Sequence, residues 1–284
     1  MDAQTIHPAG FRSLRLAFHP PLDFEALLAF FAPRALPGLE EVRDGCWRRR
    51  VPEGWIEVRR DGPAHLEALI PAGLAPHALQ IAARMQRVFD LRADPRPIRQ
   101  LLSRDPRLKP FLRPGLRIPG TWEPFEMGVR AILGQQISVQ RARAMAIELM
   151  ERFGGFPAPQ QLAKVELRGM PAARAGAIAA LARALLKGAV RLDGSQGLEA
   201  TVGALCALPG IGDWTAQLIA LRALGEPDAF PAADLGLCQA FALDARALRE
   251  RAERWRPWRA YAAAAVWLST GYAQGAALGR LPRA

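Results

Sequence analysis

A single carboxylate in an apolar stretch is the clearest candidate for chemistry in this sequence. Asp234 lies within Phe230–Cys238, a run that contains no other charged side chain. A carboxylate in such surroundings can stabilise developing positive charge or orient a water molecule. The other interpretation is structural, because aspartate is favoured just before a helix, where it accepts hydrogen bonds from backbone N–H groups. The two roles are compatible, and the local sequence leaves both open.

A glycine-rich turn precedes Asp234 and predicts a helix–hairpin–helix. The sequence Leu208-Pro-Gly-Ile-Gly-Asp-Trp-Thr separates two helical patterns. Its glycines permit positive φ values and leave backbone N–H groups at the start of the second helix able to bind a phosphate oxygen. We therefore predict a phosphate contact at Gly210, Gly212 and Thr215, which would carry no base information. The alternative is an ordinary turn in which a glycine ends a helix.

The positions of histidine and lysine restrict the chemistry of the C-terminal half. All four histidines lie in the first 77 residues, and no lysine follows Lys187. A Ser–His–Asp or Cys–His mechanism and a histidine-bound catalytic metal therefore lack parts beyond that point. If this half is an enzyme, a carboxylate must perform the reaction.

Two groups of side chains allow a functional and a structural interpretation. Trp214 and Trp267 are candidates for a stacking pocket, although tryptophan is more often a core residue or a surface anchor. Four arginines form either a solvated basic face or a set of phosphate contacts: Arg141, Arg143, Arg256 and Arg259.

Composition agrees with a nucleic-acid partner. The chain has 284 residues and is 50% hydrophobic, which predicts two or three domains with substantial cores. A net charge of +11 favours nucleic acid first and an anionic membrane surface second. Three widely spaced cysteines argue against a disulfide framework, a zinc ribbon or an iron–sulfur cluster, and they fit a reducing cytoplasm. No signal peptide is predicted, and the alanine-rich residues 260–279 are interpreted as a packed helix rather than a membrane span.

The first 93 residues predict a small α+β domain. Helical spacing predicts helices over Phe24–Phe31 and Ala78–Leu91. Short alternating runs separated by turn residues predict strands at Leu14–Phe18, Glu41–Arg43, Cys46–Arg50, Trp55–Val58 and Leu66–Ile70. Together they form one antiparallel sheet with two helices covering a face.

The remainder of the chain is predicted to be helical. Residues 94–124 are rich in proline and are expected to link the first domain to the helical segments after it. Residues 125–226 are expected to form a helical domain with the hairpin, and 94–124 plus 227–284 a second helical domain completing a cleft. The predicted helices are Glu126–Leu133, Val139–Phe153, Gln160–Glu166, Ala172–Lys187, Leu198–Ala207, Trp214–Leu224, Leu235–Phe241, Ala245–Arg254 and Ala260–Ala273.

With these residues in view, the chain resembles the AlkA-type DNA-3-methyladenine glycosylases of the helix–hairpin–helix DNA glycosylase superfamily. The resemblance covers nearly the full length and is more specific than any one motif. It implies a TATA-box-protein-like N-terminal sheet followed by an all-α helix–hairpin–helix core. The matching segments are Pro20-Pro21, Phe89-Asp90-Leu91, Arg113–Gly120, Gly128–Ser138, the hairpin, Asp234 and Trp258-Arg259.

The resemblance also implies roles for individual residues. Asp234 falls on the catalytic aspartate of the family, and Trp214 on the position of the Schiff-base lysine in lyase-competent relatives, which implies a monofunctional enzyme. The base pocket would be lined by Trp214, Trp267, Phe30 and Gln135. No cofactor is implied beyond a structural Na⁺ or K⁺, which the backbone carbonyls of Cys206, Leu208 and Ile211 would hold.

Two positions depart from the family pattern. Gln136 stands where AlkA has an apolar wedge that fills the space left by the flipped base, which puts wedging at this position in doubt. Leu218 and Leu235 stand where AlkA has tyrosines, so an aliphatic pocket with a different substrate range is expected.

The expected activity is hydrolytic excision of alkylated purines, of the 3-methyladenine and 7-methylguanine class, from damaged double-stranded DNA. A monomer acting in the bacterial cytoplasm, away from membranes, is expected. Two alternatives remain open at this point. One is a glycosylase for deaminated or oxidised bases, and the other is a non-catalytic protein that binds damaged DNA.

Overall fold

The N-terminal domain is built on a five-stranded antiparallel sheet. The computed structural model describes residues 10–164 and 167–269. The strands follow the spatial order β1-β5-β4-β3-β2, so each strand except β1 pairs with its neighbour in sequence through a short connection. Their bounds are β1 Phe11–Ala17, β2 Glu40–Arg43, β3 Cys46–Val51, β4 Gly54–Asp61 and β5 His65–Pro71.

Two helices complete this domain, as the hydrophobic spacing predicts. Helix α1, Phe24–Phe31, begins where Asp23 accepts a hydrogen bond from the Ala26 N–H at 3.1 Å. Helix α2, Ala78–Val88, ends three residues before its predicted limit, because Asp90 adopts a left-handed φ of 50°. The predicted α+β class, with one antiparallel sheet ahead of a helical remainder, is confirmed.

The proline-rich stretch that links the first domain to the later helical segments contains a helix of its own. Helix α3 occupies Pro95–Leu102, with Asp94 as its N-cap and Pro95 at its first position. Proline is compatible with the first helical turn, whose N–H groups have no partner within the helix. Ile98, Leu102 and Leu108 are all buried, so this segment belongs to the core.

Nine further helices come after α3 in the described part of the chain. A π-helical turn at Ala220–Leu224 continues α9, and α12 is described only as far as Ser269, so the predicted end at Ala273 lies outside the described residues. The predicted helix Gln160–Glu166 is shorter than expected at α6. The bounds are α4 Pro124–Leu133, α5 Val139–Phe153, α6 Pro159–Leu162, α7 Ala172–Leu186, α8 Leu198–Cys206, α9 Asp213–Ile219, α10 Leu235–Phe241, α11 Ala245–Ala252 and α12 Arg259–Ser269.

Two hydrophobic clusters form the interior. One joins the N-terminal sheet, α1 and α2 to α3 and to α10–α12, and the other is formed mainly by α4, α5 and α7–α9. A buried ion pair crosses between them, with Arg49 Nη2 of β3 at 2.6 Å from Glu126 Oε2 of α4. Within residues 10–164 and 167–269, no helix is both long and apolar enough to cross a membrane.

Candidate active site

A cleft with about 750 Å³ of empty space, part of it open solvent, lies between the two hydrophobic clusters. Side chains from distant parts of the chain line it. Phe30 comes from α1, Trp214 and Leu218 from α9, Asp234 from the start of α10 and Trp267 from α12. Five sequence-predicted site residues are thus brought together in one cavity.

Asp234 is held at the cavity wall by hydrogen bonds to its carboxylate. It is the N-cap of α10, where Oδ1 accepts the Leu237 N–H at 3.1 Å. The same oxygen accepts the indole Nε1–H of Trp267 at 3.3 Å. Only 3% of the residue is exposed, yet it lines the cavity. Asp234 therefore caps α10 and also lines the cavity, so its structural and functional interpretations are compatible.

The aromatic residues of the cavity differ in accessibility. Trp267 and Phe30 are each 2% exposed and stack with ring centroids 6.4 Å apart. The guanidinium carbon of Arg34 lies 3.8 Å from the centroid of the Phe30 ring. Trp214 is only partly buried and lines the cavity from the hairpin side. Among these rings, Trp214 therefore offers the most accessible surface to a ligand.

Arginines form much of the remaining wall, and three of them were not predicted from the sequence as site residues. Arg34, Arg130 and Arg222 line the cavity together with Arg143. Arg222 donates from Nε to Pro119 O at 2.9 Å, and desolvation together with the charges of Arg34 and Arg130 lowers its pKa to about 9. It remains charged at neutral pH. The only signal in the sequence was the presence of these arginines inside otherwise apolar helical segments.

The other arginines of the predicted basic face have different surroundings. Arg143 donates from Nε to Ala35 O at 2.6 Å inside the cavity wall. Arg259 is 8% exposed and binds Asp228, at 2.8 Å from Nε to Oδ1, so it is a structural residue. Arg256 also contacts Asp228. Arg141 is exposed, and its backbone N–H donates to Ser138 Oγ at 3.2 Å at the start of α5.

The hairpin has one glycine in the left-handed region and one in extended backbone. Gly210 has a φ of 78°, and a Cβ there would lie 2.9 Å from the Ala177 Cβ of α7. Gly212 has a φ of −93° and open space around its Cβ position. Of the two glycines, only Gly210 uses the positive φ that glycine permits. Gly212 instead leaves the outer side of the turn open.

The loop between α4 and α5 is tied to this hairpin. Gln135 was expected in the base pocket, but its Nε2 donates to Gly210 O at 2.9 Å and Thr215 Oγ1 at 3.0 Å, and it does not line the cavity. Thr215 is buried, and its hydroxyl oxygen is the acceptor of this hydrogen bond inside the hairpin. Gln136, next in sequence, is exposed with a φ of 57°.

Two leucines that the resemblance assigned to one pocket have different environments. Leu218 lines the cavity, whereas Leu235 is 68% exposed and lies outside the lining. The carbonyls expected to hold a cation lie at and just beyond the end of α8. Ile211 N–H donates to Leu208 O at 3.2 Å, and Cys206 is exposed.

This architecture defines a class of protein. An antiparallel sheet domain precedes a helical core in which a helix–hairpin–helix, a capping aspartate and two tryptophans meet at one cavity. Residues 13–123 match the AlkA N-terminal domain, and residues 129–254 match the HhH-GPD superfamily of base excision DNA repair proteins.

Comparison with known proteins gives the particular family. The chain is 35% identical to DNA-3-methyladenine glycosylase 2 of Escherichia coli, over 90% of this chain and 97% of that protein. It therefore belongs to the AlkA family of the HhH-GPD superfamily. It is also 39% identical to a probable bifunctional transcriptional activator/DNA repair enzyme AlkA of Mycobacterium tuberculosis, over 91% of this chain. The chain spans only 57% of the length of that relative.

Solved structures show the same fold. The 3-methyladenine DNA-glycosylase from Archaeoglobus fulgidus superposes with a TM-score of 0.75 at 23% identity, covering 92% of this chain and 98% of the other. A 3-methyladenine DNA glycosylase of Schizosaccharomyces pombe, in complex with abasic DNA, superposes with a TM-score of 0.52 at 23% identity, covering 62% of this chain and 97% of the other.

Proposed function

We propose that the protein is a monofunctional DNA N-glycosylase that hydrolytically removes alkylated purines from duplex DNA in base excision repair. The observation that carries this proposal is the position of Asp234, a carboxylate at the wall of an aromatic cavity in a chain of the AlkA family. A base flipped out of the duplex would enter the cavity. The names of the relatives, DNA-3-methyladenine glycosylases, support 3-methyladenine as a substrate, and 7-methylguanine is proposed as a second member of the same class.

The reaction needs a stabiliser of positive charge more than a strong acid. When the N-glycosidic bond breaks, its electron pair leaves with the base and the sugar becomes an oxocarbenium-like cation. Alkylation makes the base cationic, so departure of the base as a neutral molecule requires no proton. Asp234 would stabilise the sugar cation by its charge. Water then bonds to C1′ and loses a proton, to Asp234 or to solvent, leaving an abasic site.

Among the residues that the structure describes, no lysine lines the cavity, which supports hydrolysis without a lyase step. Lyase chemistry requires an amine that forms a Schiff base with the sugar. The three lysines, Lys109, Lys164 and Lys187, all belong to the described residues, and none lines the cavity. Trp214 occupies the position that carries lysine in lyase-competent relatives, and its partly exposed ring would stack on the flipped, electron-poor base.

Gln136 is proposed to occupy the space that the flipped base leaves. It is exposed at the turn between α4 and α5, directly after the residue that anchors this turn to the hairpin. A polar side chain here would replace hydrogen bonds of the orphaned partner base instead of filling the gap with an apolar wedge. Gln136→Ala should weaken binding to duplex with a damaged base more than binding to the same sequence as a single strand.

The hairpin is proposed to bind a DNA phosphate through the backbone N–H groups beside Gly212. The carbonyls of Cys206, Leu208 and Ile211 are proposed to hold Na⁺ or K⁺, since uncharged carbonyl oxygens suit a hard cation of low charge. No other cofactor is proposed. At constant ionic strength, K⁺ should raise the melting temperature above that in tetramethylammonium, and equal values would contradict the cation site.

We further propose that the protein acts as a monomer in the bacterial cytoplasm. One chain supplies every residue of the cavity lining. Light scattering should give one chain mass, and a stable dimer would contradict the assignment.

The assignment of Asp234 is tested by Asp234→Asn with a matched control. Asparagine caps helices nearly as well as aspartate, so the fold should be retained while the charge is lost. Release of base from methylated DNA should fall about 100-fold to 1,000-fold. Asp244→Asn is the control, because Asp244 caps α11 in the same way, accepting the Ala247 N–H at 2.8 Å, and lies outside the cavity. Equal release by both variants would contradict the role of Asp234.

A substrate panel separates the remaining functions. Duplexes with alkylated, deaminated or oxidised purines should show fastest release from the alkylated ones. Faster release of hypoxanthine or an oxidised base would contradict the proposed substrate class and would still support glycosylase activity. A non-catalytic damage-binding protein would bind these duplexes tightly, retain that affinity in Asp234→Asn and release no base from any of them.

A further inference from the structure

A carboxylate stands where the hairpin is proposed to meet a phosphate. Asp213 is the first residue of α9, directly after Gly212, and its side chain is 45% exposed. A carboxylate and a phosphate bound to adjacent residues would repel each other, and this repulsion would reduce affinity for DNA. The turn therefore needs a positive charge close to Asp213.

Arg249 supplies that charge from α11. Its Nη2 lies 2.8 Å from Asp213 Oδ2, and its side chain is 54% exposed. The second oxygen, Asp213 Oδ1, accepts a hydrogen bond from Gln217 Nε2 at 3.4 Å. Both carboxylate oxygens are thus occupied, which holds the arginine in one place beside the hairpin.

The pair lies on an open surface beside the cleft. Asp213 immediately precedes Trp214, which lines the cavity, and the space around Gly212 is open. A guanidinium carries five N–H donors in a planar fork, and the contact with Asp213 uses only one edge of it. The exposed edge of Arg249 can therefore bind a second anion while the first contact is kept.

We propose that Arg249 binds a backbone phosphate of DNA next to the hairpin and that Asp213 is the residue that positions it. This inference rests on the proposed function, because it requires DNA at the cleft. The ligand is a phosphodiester, and the contact is independent of base sequence. The hairpin would bind DNA through its backbone, and Arg249 would add a side-chain contact from α11.

The competing explanation is that Arg249 only neutralises Asp213. A charge-matched double variant, Asp213→Asn with Arg249→Gln, distinguishes the two, because it removes both charges and leaves the net charge unchanged. The control is Arg246→Gln with Glu250→Gln, an ion pair on the same helix with side chains 88% and 70% exposed. Melting temperatures establish that both double variants are folded.

The measurement is the dissociation constant for a short duplex with one abasic-site analogue, as a function of salt concentration. Loss of one phosphate contact lowers the magnitude of the slope of log K against log[salt] by about 0.9. We expect that decrease in the Asp213/Arg249 variant, with affinity reduced roughly threefold to tenfold, and no change in the Arg246/Glu250 variant.

Three results would overturn or redirect the inference. A wild-type slope in the Asp213/Arg249 variant shows neutralisation alone and overturns the phosphate contact. An equal decrease in both double variants overturns a specific role of Arg249. If the wild-type protein itself binds no duplex DNA, the proposed function fails first, and the inference fails with it.

Discussion

Trp267 Nε1 donates a hydrogen bond to Asp234 Oδ1 across 3.3 Å, and this contact links α12 to the carboxylate at the start of α10. The same ring stacks on Phe30 of the N-terminal domain. Three separate parts of the chain thus determine how one carboxylate is oriented. A charge-stabilising group is effective only when it is held in place before the reaction begins.

Trp267→Phe keeps the aromatic ring and removes this hydrogen bond. Activity should fall about tenfold or more, because the carboxylate loses one of the donors that orient it. Trp255→Phe is a matched control, since Trp255 Nε1 donates to the buried Asp105 Oδ2 at 2.9 Å outside the cavity. Each variant should lose about 1–2 kcal/mol of unfolding free energy. Single-turnover rates of base release should decrease only in Trp267→Phe, and equal rates in the two would contradict the orienting role.

Glu126→Gln should destabilise the protein strongly. Glu126 is buried and contacts Arg49 of β3 at 2.6 Å and Arg130 at 3.1 Å, so the substitution leaves two guanidinium groups without this counter-charge. We expect a loss of about 3 kcal/mol in denaturant unfolding. Glu250→Gln, which removes an exposed carboxylate, should change stability by less than about 0.5 kcal/mol. A small effect of Glu126→Gln would show that Glu40, 3.7 Å from Arg49, compensates.

Asp90 should make stability fall as the pH rises through the weakly acidic range. Burial raises the pKa of Asp90 to about 6, against the lowering effect of hydrogen bonds from Ile118 N and Tyr261 Oη. The folded state therefore holds its proton between about pH 4 and 6, where the unfolded chain has lost it. Over that interval stability decreases with pH, by on the order of 2 kcal/mol.

The check is urea unfolding of the wild-type protein and Asp90→Asn from pH 4 to pH 7. The difference in unfolding free energy between the two should change over this interval and level off above pH 6. A constant difference would show that Asp90 is ionised in the folded state throughout.

Gly210→Ala should disturb the hairpin. A Cβ here would lie 2.9 Å from the Ala177 Cβ, at a φ of 78° that alanine adopts at a cost. We expect a loss of about 1–3 kcal/mol in thermal unfolding. Gly203→Ala in α8 is the control, because open space surrounds that helical position and alanine should stabilise it slightly. Equal stability of Gly210→Ala and the wild-type protein would mean that α7 can move away.

The local sequence was sufficient to predict most of the helices and strands and the capping position of Asp234 in the candidate site. The caps at Asp23 and Asp234 follow from short-range hydrogen bonds that aspartate makes before a helix. The prolines of residues 94–124 indicated a linking segment and did not reveal the position of α3 within it. Proline is compatible with a first helical turn, and burial of Ile98 and Leu102 decided in favour of a helix.

The different environments of residues of the same type could be found only from the tertiary structure. Leu218 of α9 and Leu235 of α10 are residues of the same type, but one lines the cavity and the other is 68% exposed. Gln135 is bound to the hairpin instead of the cavity, because its amide meets Gly210 O and Thr215 Oγ1 from another helix. Neither outcome follows from spacing, since spacing does not specify which neighbouring element a side chain contacts.

By itself, the sequence determined the elements, the capping position of Asp234 and the absence of lysine and histidine around it, because these depend on periodicity, short-range hydrogen bonds and residue type. The packing of the helices in three dimensions determines that Trp267, 33 residues later, donates to Asp234 and that arginines line the same cavity. It also determines that Arg249 stands beside the hairpin. Such contacts join segments far apart in sequence, and the packing of whole helices determines them.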